Sequence, residues 1–300
     1  MKKIFNFLLI LSILLSYSIV LVDSDDSFAP ILGQSFEYEV LTSNLNIKIG
    51  LQTFSVDSYQ FGSQQFFIGD PFTIDVTYTN ATIAYYDFKC NNISLTSYIV
   101  DNRVTREFYF SSYLLEPLTT AHIIYSTFII NGDFSYNLYT NGLLLRSLLF
   151  VPANESSWSE LQALSDFYND GYYYTDSFQD LEIISHFNSI DDIVYFECYF
   201  QGYSDKTLQT FNQNLFVESC FLIAYNKTNG VLCGYRSFGT TNGRINGDKI
   251  NCQIELHYEQ IDFNLPEFSL YTNTIDSNFI TILIFSFTLF VTIIFIRHYK

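Results

Sequence analysis

One apolar run, Phe279 to Ile296 (FITILIFSFTLFVTIIFI), constrains this chain more than any other feature. Its 18 residues include no charge, glycine or proline. As a helix rising about 1.5 Å per residue they span about 27 Å, close to one hydrocarbon thickness. Arg297, His298 and Lys300 follow at once, and the positive-inside rule places such a tail in the cytoplasm. A buried core helix is the competing reading of the run. The other end agrees with a membrane anchor. Lys2 and Lys3 precede an apolar stretch from Ile4 to Val22, and Val22 and Ser24 suit the small-residue cleavage rule. That reads as a signal peptide over 1–24, with an uncleaved N-terminal anchor as the alternative. The expected organisation is a signal peptide (1–24), a β-rich extracellular domain (25–268), a short linker (269–278), a transmembrane helix (279–296) and a cytoplasmic tail (297–300).

Between the two apolar ends the chain is acidic. Residues 25–278 hold ten of the 14 Lys and Arg and 30 of the 31 Asp and Glu, a formal charge of −20. Such a surface repels phosphate backbones, which excludes nucleic acid as a partner. Cations or basic partners would be drawn to it, while the plainer consequence is solubility. Disorder is excluded as well. Charged residues are 15% and aromatics 19% of the chain, so there is ample apolar surface to bury.

Alternation marks this region as β-structure. Ile74, Val76 and Tyr78 alternate with Thr73, Asp75 and Thr77. Ile250, Cys252, Ile254, Leu256 and Tyr258 alternate with Asn251, Gln253, Glu255, His257 and Glu259. Five Asn-Gly pairs, beginning at Asn131, Asn141, Asn229, Asn242 and Asn246, supply the positive φ angles of tight hairpins. They predict a meander of Ala121–Ile130, Phe134–Thr140 and Leu143–Phe150, and a second from about Ile193 to Phe263. One stretch breaks the pattern. Ser157 and Glu160 have capping-box spacing, Trp158, Leu161, Leu164 and Tyr168 share a helical face, and Gly171 follows as a stop. The expectation is a mainly β fold, a large antiparallel curved sheet or sandwich, with one packed amphipathic helix over about 158–169. No Pro-, Gly- or Ser-rich linker divides it, and no internal repeat is present.

The stretch YNKTNGVLCGYRSFG, Tyr225 to Gly239, gathers a cysteine, an arginine and a sequon on one hairpin. With Asn226 to Gly230 as the loop, Tyr225 faces Val231, Ile223 faces Cys233 and Phe221 faces Tyr235, all on an apolar side. Glu218, Cys220 and Arg236 then share the outer side, where Arg236 pairs with Glu218; a ligand-binding arginine is the alternative. Cys198, Cys233 and Cys252 fall on core faces. Five cysteines are an odd number, and their spacing neither names a pair nor forms a zinc-ligand pattern, so small buried side chains are the simplest reading. Asn80, Asn92, Asn154 and Asn226 each begin a glycosylation triplet.

Catalytic signals are weak. Glu255, His257 and Glu259 fall in one row, but strand rise sets neighbours in such a row nearly 7 Å apart, which favours a solvated face over a metal site. Asp191-Asp192 and other carboxylates could form an acid–base pair only if the fold brought two together. No GxSxG, HExxH, phosphate loop or EF-hand loop occurs. The run Gly171 to Tyr174 reads as a core strand or an aromatic platform for sugar or lipid. No cofactor is implied.

Four stretches, in this order, resemble the choice-of-anchor S family of archaeal cell-surface proteins: Gly33–Val40 (GQSFEYEV), Val151-Pro152 leading to Trp158, Asn229–Arg236 (NGVLCGYR), and Leu265–Phe268 (LPEF) ahead of the apolar run. The strand cysteines depart from that family's pattern. The resemblance implies an extracellular domain tethered by a C-terminal anchor, and it implies no reaction. The function expected is therefore a non-catalytic, membrane-anchored surface protein for binding, adhesion or envelope structure, with surface proteins, glycans or lipid as partners. A carrier with an apolar cavity between sheet and helix is the alternative, and an extracellular hydrolase the third.

Overall fold

In a computed structural model of the chain, the described residues are 28, 31–80, 82–100, 103–132, 134, 142–145, 148–170, 174, 177–205 and 211–271. The expected signal peptide and membrane helix lie outside them. Among the described residues no helix is long and apolar enough to cross a membrane.

The protein is mainly β. Its strands are β1 (Ser35–Ile49), β2 (Gln52–Val56), β3 (Ser58–Phe61), β4 (Gln64–Phe67), β5 (Phe72–Thr79), β6 (Ile83–Cys90), β7 (Ile93–Val100), β8 (Leu143–Leu144), β9 (Gln179–Ile190), β10 (Ile193–Ser204), β11 (Gln213–Asn226), β12 (Leu232–Ile245) and β13 (Asp248–Gln260). Ten of them form one sheet in the order β7-β6-β5-β1-β13-β12-β11-β10-β9, with β2 also on β1. The meander expected from Ile193 to Phe263 is present as β10 to β13. β1 lies along β13 and shares its other edge between β5, from Ser35 to Tyr38, and β2, from Leu45 to Ile49. The first strand thus joins the two halves of the sheet. β4, β3 and β8 make a small second sheet.

The first strand of the predicted meander from Ala121 to Phe150 is helix instead. Two helices precede and replace its first strand: α1 (Arg103–Leu114) and α2 (Glu116–Asn131). A third, α3 (Glu155–Asn169), is the expected amphipathic one. The misreading has a physical cause. α2 is rich in β-branched and aromatic residues, and its Asn131-Gly132 is a helix stop, Gly132 taking the left-handed conformation at φ 77°. Phe134 follows, 135–141 and 146–147 lie outside the described residues, and of the third expected strand Leu143–Leu144 pair with β3 while Phe150 bridges to Val231. The other Asn-Gly pairs divide. Asn229-Gly230 and Asn246-Gly247 stand at hairpin turns, while Asn242-Gly243 lies inside β12.

The helices cover one face of the sheet: α1 packs on β10 and β11, α2 on β11 to β13, α3 on β9 and β10. Small side chains let α2 approach. A Cβ on Gly239 would stand 2.6 Å from Pro117 Cγ. Aromatic rings fill the layer between. Phe110, Phe196 and Phe221 meet at centroid distances of 4.7 to 5.8 Å, and Tyr113 lies 5.0 Å from Tyr235. Tyr38, Phe72 and Phe88 continue the stack across β1, β5 and β6. Two buried tyrosine hydroxyls find backbone partners: Tyr38 donates to the Leu232 carbonyl and Tyr225 to the Leu148 carbonyl, both at 2.7 Å.

The N-cap of α3 is Asn154, whose Oδ1 accepts from the Ser157 amide at 2.8 Å. The capping box expected at Ser157 and Glu160 is thereby displaced. Glu160 instead receives buried Arg106 of α1 at 3.0 Å, a bond that ties the two helices together.

Candidate functional site: a C-terminal clasp on the back of the sheet

The face of the sheet turned away from the helices carries most of the residues that stood out in the sequence. Residues 263–271 run across it. Leu265 packs against Leu222, Ala224 and Cys233, and Leu270 against Tyr199 and Cys220. All but the Cys233 contact follow from strand alternation: Tyr199, Cys220, Leu222 and Ala224 point to the back because their neighbours Phe200, Phe221 and Ile223 point to the helices.

Buried carboxylates hold the segment by its backbone. Glu259 Oε2 accepts the Leu265 amide at 2.8 Å. Glu197 Oε1 accepts the Leu270 amide at 2.8 Å, and its Oε2 accepts the Ser269 hydroxyl at 2.5 Å. Arg236 adds a side-chain lock: it bonds Glu267 and lies 5.9 Å over the ring of Phe268.

This arrangement corrects three expectations. Arg236 does not pair with Glu218. A β-bulge between Ala224 and Tyr225 shifts the hairpin register, so Arg236 stands opposite Leu222 and Glu218 opposite Thr240. Glu218 accepts instead from the Tyr199 hydroxyl at 3.0 Å. Cys233 is the residue skipped by that bulge, between paired Leu232 and Gly234, and it turns to the back cluster rather than the main core. The row around His257 is not solvated either, because the clasp covers it. His257 is 8% and Glu259 9% exposed.

His257 links the lock to the clasp. An Arg236 guanidinium N–H faces Nδ1 at 3.2 Å, and Nε2 faces Glu259 Oε2, also at 3.2 Å. Only the neutral ring protonated on Nε2 satisfies both, since Nδ1 must accept while Nε2 donates. Burial and the nearby Arg236 charge hold the His257 pKa below its ordinary 6.5, against the pull of Glu259. The pair therefore works as a hydrogen-bond relay between guanidinium, imidazole, carboxylate and the Leu265 amide. Its imidazole and carboxylate are buried beneath the clasp.

The five cysteines, Cys90, Cys198, Cys220, Cys233 and Cys252, are buried free thiols. Burial raises each of them, Cys233 to about 11, so none has the thiolate character that reactivity needs. Among the described residues no three His, Cys, Asp or Glu side chains group to hold a metal ion. His186 is exposed on β9 and His122 lies on α2, stacked on Phe211 at 6.0 Å. Asp191-Asp192 form the β9–β10 turn. Of the Gly171–Tyr174 run only Tyr174 is described, and it is buried against Phe200.

The sequons lie at element ends. Asn80 and Asn92 are exposed in the β5–β6 and β6–β7 turns. Asn226 closes the β11 end, where its Oδ1 accepts the Thr228 and Asn229 amides, and Asn154 caps α3.

The hairpin around Gly230–Arg236 is where distant stretches meet. Tyr38 bonds Leu232, the Val151 amide donates to the Gly230 carbonyl at 2.9 Å, and Leu265 presses on Gly234. Gly230 is required here: at φ 71° it is left-handed, and a Cβ would stand 1.8 Å from the Val151 carbonyl oxygen. Neither β-alternation nor charge could place Glu197 in this site. Its only sequence signal is a carboxylate on the strand face opposite a run of core residues. No protein-family model, curated protein or solved structure matches the chain.

Proposed function

We propose that this is a single-pass, membrane-anchored cell-surface protein whose β domain serves binding, adhesion or envelope structure without catalysis. The observation that carries the reading is the clasp. Residues 263–271 are fastened to the sheet through Glu197, Arg236 and Glu259, and the apolar run 279–296 starts only seven residues later. Seven residues reach at most about 25 Å. A fixed segment with so short a tether transmits the position of an anchor to the domain, which a loose stalk would not.

The signal-like start, the acidic surface and the sequons at Asn80, Asn92, Asn154 and Asn226 accord with export and glycosylation. The carrier reading needs open apolar space between helices and sheet, and the ring contacts of Phe110, Phe196 and Phe221 occupy that layer. A hydrolase reading finds no support at the His257–Glu259 pair, which is buried beneath the clasp.

Protease added to intact cells tests the topology. The β domain should be lost while an epitope appended after Lys300 stays protected. Full protection of the chain, or loss of the epitope with the domain, would overturn the proposal. Glycosylation has its own readout, a mass excess lost on Asn80→Gln, Asn92→Gln, Asn226→Gln and Asn154→Asp, the last chosen because aspartate keeps the α3 cap.

A further inference from the structure

The two ends of the sheet differ in charge and in exposed apolar surface. At the end formed by the β9–β10 and β11–β12 turns and the segment after β13, the charged turn residues are Asp191, Asp192 and Asp262, all exposed, against the one half-buried Lys227, whose amide donates to the Asp192 carbonyl. At the other end, three of the ten Lys and Arg of residues 25–278 gather on the back face of adjacent strands. Arg244 on β12 stands directly opposite Lys249 on β13, and Lys48 on β1 stands opposite Asn251, two residues along the same face. All three are exposed, and neither lysine has an ion-pair partner among the described residues. Asp248, adjacent to Lys249 at the start of β13, accepts the Tyr125 hydroxyl at 3.0 Å. Asp180 on the edge strand β9 and Asp205 just after β10 also lie at this end.

Large apolar side chains project at the same tip. Leu51, in the β1–β2 turn, is 97% exposed. Ile129 and Ile130 end α2, whose Tyr125 reaches the β12–β13 turn, and they are 53% and 79% exposed. Basic residues bordering exposed aliphatic ones suit an interfacial lipid surface.

The course of the clasp selects this end. It begins at the level of Gly234, where Leu265 sits, and reaches the level of Phe238, whose ring lies 5.2 Å from that of Tyr271. It therefore descends β12 towards the basic tip. From Phe238 to Ile245 seven residues of strand remain, about 24 Å. Residues 272–278 span at most about 25 Å. An anchor beginning at Phe279 thus brings the tip to the bilayer surface.

We infer that the sheet end bearing Lys48, Leu51, Ile129, Ile130, Arg244 and Lys249 docks on an anionic lipid surface. The inference rests on the anchored reading above. The opposite, acidic end then points away from the membrane and is the end free to meet partners.

The test uses the full chain in phosphatidylcholine–phosphatidylglycerol vesicles whose acyl chains are brominated. Single tryptophans are placed by Leu51→Trp, Ile190→Trp and Gln253→Trp. The native Trp158 is buried on α3 and gives a constant background. Leu51→Trp should lose emission relative to unbrominated vesicles, while the Ile190 and Gln253 variants should not. Removing phosphatidylglycerol, or combining Lys48→Glu with Lys249→Glu, should reduce the quenching. A chain that floats with vesicles yet leaves Leu51→Trp unquenched would overturn the docking alone. Stronger quenching at Gln253 would also overturn it, by showing the back face lying flat. A chain that fails to float would overturn the anchored reading together with the docking.

Discussion

Glu197 is buried with both oxygens committed, one to the Leu270 amide and one to the Ser269 hydroxyl. Glu197→Ala removes both acceptors and leaves the Leu270 amide without a partner, a loss on the order of 2–4 kcal/mol read by denaturant unfolding. His257 gives the clasp a pH dependence of known sign. Its folded pKa is below its ordinary 6.5, so the unfolded chain takes up the proton first as pH falls. Its contribution is fully present above about pH 6.5 and declines below it. His122, lowered by burial, acts with the same sign. His257→Gln, which can still donate to Glu259, should make stability less steep between pH 7 and 5; an unchanged slope would exclude the relay. The thiols make a separate prediction. A maleimide should label none of the five cysteines in native protein and all five in denaturant, and fewer than five in denaturant would reveal a disulfide. At this scale the sequence was legible for most facing, wrong at the bulged Cys233, and blind to cover. Alternation put Arg236 and His257 on the outer side of their strands, correctly, but nothing in the local pattern says that nine residues from the C-terminal side will lie over them.

Among the elements, the meander β10–β13 was readable because its strands alternate cleanly and its tight turns carry the residues such turns need. α3 was readable because one face only is apolar. α2 failed both tests. Its buried side chains, Leu118, Ala121, Ile124 and Tyr125, are embedded among other apolar residues, so period 3.6 is obscured, and its terminal Asn-Gly serves a helix stop as well as a hairpin. Its seat on the sheet is narrow. Gly239→Ala would force a methyl within 2.6 Å of Pro117 and should cost about 1–3 kcal/mol, measured by thermal unfolding. Wild-type stability would mean that α2 is not seated there. Asn154→Ala should cost about 1 kcal/mol by removing the α3 cap, and Asn154→Asp should cost little. Equal losses would show that the cap is not what the residue supplies.

For the whole molecule, pairing of β1 with β13 closes the chain on itself, and the clasp extends that closure by fastening the residues after β13 to β10 and β12. The domain is thereby given one firm connection towards the apolar run and one basic, apolar tip on the side to which that connection leads. Local pattern gives a simple linker from 269, whereas Ser269 and Leu270 are part of the fold, held by Glu197. Hydrogen exchange on the full chain tests this most directly. The Leu265 and Leu270 amides should exchange as slowly as those in the middle of β13, and Glu197→Ala should release Leu270 before β13 opens. Exchange of residues 263–271 at the rate of an unstructured peptide would contradict the account.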